Sequence, residues 1–271
     1  MEYFNIWKSC LEAESFIIVD RVVLEELGSE EFVVREGELI ISCWICKGIY
    51  EKGLKAIKEF RVNGGWSKDL EILLDLTVLI NGELGMAWNI KHENIEKLDI
   101  AQQIHVNMLS IKLHRKAAIA WEFRKRLMCF EFPKNEIETL ENLQVFHKQN
   151  YYLWEYRRWV FTEHLTNSVR ESEYEKMLKY CSGHPSDSSA FHYLGFISSD
   201  LGHNPRTYHW VSSLCNTYYG VFGLYNEQHP VGFETLCLLR AKTRKNPEQD
   251  SDFVSQQTSL NRKTPYLHKS C

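Results

Sequence analysis

The sequence predicts an all-α chain, a right-handed α-α superhelix (an α-solenoid) of helical hairpins with about 33 residues per repeat. Three observations lead there. Core-type positions recur at spacings of three and four, as at Ile95, Leu98, Ala101, His105 and Met108, and again at Ile137, Leu140, Leu143 and Phe146. Helix breakers fall at Asn81-Gly82, at Pro133 and at Ser182-Gly183-His184-Pro185, where antiparallel helix pairs would turn. Trp88, Trp121 and Trp154 stand 33 and 33 residues apart.

Composition bounds the class. The 271 residues are 44% apolar, enough for a continuous core, and 14 Gly with 6 Pro are too few for a loop-rich β-sandwich. A net charge of -4 gives no global basic field of the kind that binds nucleic acid. The longest apolar run, Leu39 to Ile45, is too short for a membrane span, and Glu2, Glu12 and Glu14 interrupt any leader-like pattern. The expectation is a cytoplasmic protein.

Residues 1–69 are read as an amino-terminal helical segment preceding the repeats. Its first 40 residues carry ten acids against three bases, and a helical-looking stretch covers Leu39–Phe60 before the turn at Asn63-Gly64-Gly65. The single CxxC, Cys43-Trp44-Ile45-Cys46, has no second pair or His at zinc-site spacing, and its flanks suggest no βαβ unit. The two thiols are expected one helical turn apart on a buried face, as small hydrophobes.

Residues 70–239 hold the repeats. Ala87, Ala120 and Leu153 precede the three tryptophans, and Lys91, Arg124 and Arg157 follow them by three. A weaker fourth copy puts Phe191 in the tryptophan place, 37 residues after Trp154. The aromatic belongs in the core between hairpins. The base one turn on reaches an acid or carbonyls of an adjoining helix, or else faces a concave binding surface. A possible fifth copy begins at His229-Pro230 and then fails, with Cys237 to Arg240 in place of the Trp and paired bases. Residues 240–271, with seven bases, three acids and few apolar positions, read as a polar, disordered tail.

The third copy, Asn150-Tyr151 through Trp154, Arg157-Arg158 and Trp159, resembles the repeat of protein prenyltransferase alpha subunits. That repeat runs Asn-Tyr, two residues, Trp, two residues, Arg, Arg or Gln, Trp. His114-Arg115-Lys116 through Ala120-Trp121 and Arg124 is similar to its His-Pro-Lys variant, and Ala87-Trp88-Asn89 to its Ala-Trp-Asn variant. Pro185 through Tyr193 is similar to a copy in a divergent branch of the same family. The tetratricopeptide signature is absent from every copy.

The resemblance implies a crescent of hairpins around a separate beta subunit that holds the catalytic zinc and the isoprenoid pocket. On that reading this chain binds no cofactor itself. The partners are a beta subunit of the Rab geranylgeranyltransferase type and a protein substrate with an acceptor cysteine. A family Lys contacts the departing diphosphate, with a Tyr two residues after it. Lys116 stands in the Lys place, where a solvated helix-start lysine is the other reading, and Ala118 stands in the Tyr place. In the third copy Gln149 replaces the Lys while Tyr151 keeps the Tyr. The function implied is the alpha-type subunit of a protein geranylgeranyltransferase. The alternative is a stand-alone α-solenoid adaptor without catalytic activity, and no G-x-S-x-G or Gly-rich phosphate loop supports an autonomous hydrolase.

Overall fold

A computed structural model of the chain describes residues 2–29 and 31–221. The expected tail at 240–271 and the partial fifth copy lie outside the described residues. The chain is mainly helical and divides into two compact units, Met1–Val160 and Phe161–Cys271.

The first unit opens with α1 (Glu2–Glu12), β1 (Ser15–Val19), α2 (Arg21–Glu26), β2 (Phe32–Arg35), β3 (Glu38–Ser42) and α3 (Cys43–Asn63). It continues with α4 (Lys68–Ile80), α5 (Gly85–Glu93), a 3-10 turn at Ile95–Lys97, α6 (Ile100–Leu113), α7 (Ala118–Met128), α8 (Glu136–Phe146) and α9 (Tyr151–His164), which runs past Val160. The second unit contributes α10 (Asn167–Gly183), α11 (Ser188–Asp200) and α12 (Asn204–Val221).

The amino-terminal segment corrects the helical expectation. Its strands form a three-stranded sheet in the order β1-β3-β2, with β1 parallel and β2 antiparallel to β3. The helix expected from Leu39 starts four residues later. Glu38–Ser42 is instead the central strand, with Leu39 and Ile41 fully buried. A short apolar run rich in β-branched residues suits a strand flanked on both sides, and periodicity over so few residues does not separate strand from helix. Ser42 then opens α3 by accepting a hydrogen bond from Ile45 N at 3.3 Å. Gly64, with φ of 67°, ends the helix in a backbone conformation that favours glycine.

Polar ties join this segment to the helices after it. Trp7 Nε1 donates to Asp75 Oδ2 at 2.9 Å, Lys112 Nζ to the Glu14 carbonyl at 2.7 Å, and His105 Nε2 lies 2.9 Å from the Cys10 carbonyl. The best-covered helix is α4, whose residues Leu70 through Leu79 are all buried because α1, α3, α5 and α6 pack on it. A helix covered on every side sits in the middle of a bundle, and its buried Asp75 is matched there by Lys91 and Trp7.

Helix α3 meets α4 at Gly53, where a Cβ would overlap the Thr77 hydroxyl, whereas Gly48 on the same helix has open space. Gly53→Ala is therefore expected to destabilise the fold by about 1–3 kcal/mol. Gly48→Ala should stabilise it by up to about 1 kcal/mol through helix propensity. Urea denaturation of the two variants checks the contrast.

Candidate functional site

Four helix pairs give the candidate repeats their geometry: α4/α5, α6/α7, α8/α9 and α10/α11. The first helix of each ends at a C-cap: Asn81, His114, His147 and His184. Each cap precedes by seven residues the aromatic of the second helix, Trp88, Trp121, Trp154 or Phe191. All four aromatics are buried. Trp88 Nε1 donates to the Gly82 carbonyl at 2.8 Å and Trp121 Nε1 to the Arg115 carbonyl at 3.2 Å, so each indole ties its own turn. Each ring also packs on the next hairpin, Trp88 on Phe123 at 5.1 Å between centroids and Trp121 on Tyr156 at 5.4 Å.

The bases three residues on lie inside. Lys91, Arg124 and Arg157 are each 1% exposed, so they offer no binding surface. Arg124 is held by a two-pronged pair with Glu136, Nε to Oε1 at 2.8 Å and Nη2 to Oε2 at 2.6 Å, and by Asn107 Oδ1 at 3.3 Å. Tyr156 donates to the same Glu136 Oε1 at 2.7 Å. Burial disfavours the Arg124 charge, but the carboxylate and the tyrosine beside it hold its pKa above the ordinary value. Burial, with Glu136 adding to it, pushes Tyr156 well above its usual range and keeps its proton in place to donate.

The other two bases vary the arrangement. Lys91 pairs with buried Asp75, which also accepts from Trp7 and from Gln103 Nε2 at 3.2 Å. Arg157 donates to Gln144 Oε1 at 2.6 Å, stacks 5.7 Å from the Trp154 ring and lies 3.8 Å from Glu141. Trp159 is half-buried against Tyr156 at 5.7 Å.

Two columns escaped the sequence reading. Tyr156 to Glu136 and Tyr193 to Glu173, the latter at 2.9 Å, are hydrogen bonds between residues 20 apart. At the same separation one copy earlier stand Phe123 and Gln103, where the acceptor carboxylate and the tyrosine hydroxyl are missing together. The histidine caps are the second column. His114 Nε2 lies 2.8 Å from the Leu79 carbonyl, and His147 hydrogen-bonds the Lys112 backbone, 35 residues back in both cases. The repeat offset carries both signals, which appear once polar residues are aligned along with the aromatics.

These caps stack the turns of the first unit. The His114 side chain sits so close over Gly82 that a Cβ there would come within 2.6 Å of it. Asn150 Nδ2 donates to the Arg115 carbonyl at 2.7 Å while its Oδ1 accepts from Tyr152 N at 3.1 Å. The turns 114–118 and 147–151 are thus bound side by side. They expose Arg115, Lys116 and Lys148, and Tyr151 is 59% exposed at the start of α9. Lys116 has no ion-pair partner among the described residues. Gln149, in the Lys place of the third copy, takes a φ of 55°. This edge can hold an anion by charge. Among the described residues, no group of three or more His, Cys, Asp or Glu is arranged to hold a metal ion, and no helix is long and apolar enough to cross a membrane.

The CxxC also differs from expectation. The thiols do lie one turn apart, but only Cys46 is buried, whereas Cys43 is exposed at the first residue of α3.

Residues 133–164, from Pro133 through α8 to the end of α9, match the family model described as protein prenyltransferase alpha subunit repeat. That stretch of the chain is similar to a repeat of this family, and the matched hairpin holds Glu136, Asn150, Trp154, Tyr156 and Arg157. No curated protein matches the chain.

Glu136→Gln would leave Arg124 buried beside a neutral amide and is expected to cost about 3–5 kcal/mol. Tyr156→Phe should cost about 1–2 kcal/mol, since Glu136 loses one donor. Replacing Arg124 and Glu136 together by Met should recover much of the larger loss, as denaturation of the three variants would report. A separate expectation concerns pH. Burial, and the nearby Arg115, lower the His147 pKa from 6.5 to about 4. As pH falls from 6.5 towards 4 the unfolded chain binds a proton that the native state refuses, so stability is lost over that window. His147→Gln should flatten this part of the pH dependence, measured as urea midpoints at pH 7 and pH 5.

Proposed function

We propose that this chain is the alpha-type subunit of a heterodimeric protein prenyltransferase, acting in the cytoplasm on protein cysteines with a geranylgeranyl donor. The match of residues 133–164 to the prenyltransferase alpha subunit repeat carries the reading. The preceding and following helix pairs, with the same aromatic and cap spacing, are on this view further turns of one right-handed α-α superhelix.

The chemistry divides between two chains. A zinc ion on the beta partner, of the Rab geranylgeranyltransferase type, would lower the pKa of the acceptor cysteine so that it reacts as a thiolate. The sulfur bonds to the allylic carbon of the isoprenoid as diphosphate leaves, and negative charge builds on that leaving group. Cations already in position stabilise such charge without reorganising. This chain's contribution is the exposed turn edge, where Lys116, flanked by Arg115 and Lys148, meets the diphosphate and Tyr151 lies beside it. Ala118 and Gln149 each break the Lys/Tyr pairing within one copy, so the two groups come from neighbouring turns.

Co-expression with a Rab-type beta subunit, followed by size exclusion and transfer assays, tests the proposal. The expected outcome is a one-to-one, zinc-containing complex that geranylgeranylates a cysteine substrate. In it, Lys116→Ala should lower the transfer rate by about tenfold or more with the complex intact. A folded chain that forms no such complex would overturn the subunit reading and leave a protein-binding adaptor.

A further inference from the structure

We propose that Cys43 and Cys46 form a dithiol site that exchanges with small linear disulfides of the glutathione type and closes to an intramolecular disulfide. The inference is independent of the prenyltransferase reading and rests on the amino-terminal unit alone.

The sheet sets the geometry. β3 runs parallel to β1 and ends at Ser42, and α3 starts at the next residue, so Cys43 sits where a strand gives way to a helix. Residues three apart in a first helical turn have Cα atoms about 5 Å apart. That lies inside the span a disulfide bridges, about 4.4–6.8 Å. Cys43 is exposed and Cys46 buried, and the intervening Trp44, 68% exposed, leaves the surface beside Cys43 uncovered. One thiol can therefore meet a disulfide from solvent while the other is shielded behind it. Cys43 is the first residue of the 21-residue α3, where the helix N-terminus favours a thiolate, while Asp20 Oδ1, which accepts from the Cys43 thiol at 3.7 Å, works against its ionisation. Burial, with the adjacent Cys43 charge adding to it, pushes the Cys46 thiol up to about 12, which keeps it from acting as the first nucleophile.

The exchange balances in two steps. Cys43, its proton lost to solvent, attacks one sulfur of the small disulfide through Sγ. A mixed disulfide forms, and one small thiolate leaves and takes up a proton. Cys46 Sγ then attacks Cys43 Sγ, and the second small thiol departs with the Cys46 proton. The two protein thiols are oxidised to one disulfide, and the small disulfide is reduced to two thiols.

Oxidised glutathione on the full-length chain is the test, with thiol alkylation and peptide mass mapping. Trypsin cuts after Arg35 and Lys47, so one peptide, Glu36 to Lys47, contains both cysteines and no other. The expected product is that peptide lighter by two hydrogens, carrying no glutathione. Cys129, exposed and without a neighbouring thiol in the sequence, should stop at the glutathione adduct. Cys46→Ala should trap the adduct on Cys43, and Asp20→Asn, which removes a negative charge beside that thiol, should speed the first step several-fold. Cys10 is buried close enough to Cys46 for their charges to interact, so a cross-link between the Cys10 and Cys46 peptides is a distinct outcome. That cross-link, a lasting glutathione adduct on Cys43 in the unmutated chain, or a Cys43 that reacts no faster than Cys129 would each overturn the proposal. The unmutated chain alone decides the main point, so a poorly folding variant leaves the result intact.

Discussion

Arg124 is the hinge of the first unit's packing. A guanidinium that is 1% exposed survives burial only because Glu136 meets it with two hydrogen bonds and Asn107 takes a third. Arg124 on α7 and these partners on α6 and α8 join three helices, so the network fixes their mutual register more narrowly than apolar contact would. Tyr156 extends the same network to α9 through Glu136, and its ring takes the face of Trp121. The α6/α7 hairpin is thus keyed to α8/α9 by one aromatic contact and one buried charge.

The first hairpin answers its buried base within itself. Lys91 replaces the arginine, Asp75 on α4 supplies the carboxylate, and Trp7 from α1 takes a share of it. Because the carboxylate now sits on α4, the position that holds Glu136 in the later copy needs no charge, and Gln103 serves there. The tryptophan of α1 joins Lys91, Gln102 and Gln103 on that acid and so ties α1 to this hairpin. Burial consumes the repeated aromatics and bases in packing, and what reaches solvent is the row of turns, whose residues differ from copy to copy. An exposed edge of this kind can acquire a binding role without disturbing the core beneath it.

The helical hairpins were legible because their signals are redundant. Asn81-Gly82, Pro133 and the 182–185 stretch break the helices where the turns occur, and the 33-residue spacing of Trp88, Trp121 and Trp154 survives changes around it. Glu136 and Glu173 went unread because an acid in a helical stretch looks like a solvated residue until its tyrosine, 20 positions on, is set beside it. The strands were hidden for another reason. Leu39-Ile40-Ile41 is too short for its period to speak, and its partner Phe16-Ile17-Ile18 lies 23 residues away, across α2 and β2.

By itself the sequence determined the helical class, the hairpin turns and the family likeness, since each rests on local spacing that a reader can count. Tertiary structure alone decided which charges are buried, which acid answers each base, and that Cys43 and Cys46 stand on opposite sides of the solvent boundary. Those outcomes depend on what packs against a side chain from far along the chain, and burial sets the energy of a charge or a thiol more strongly than its neighbours in sequence do.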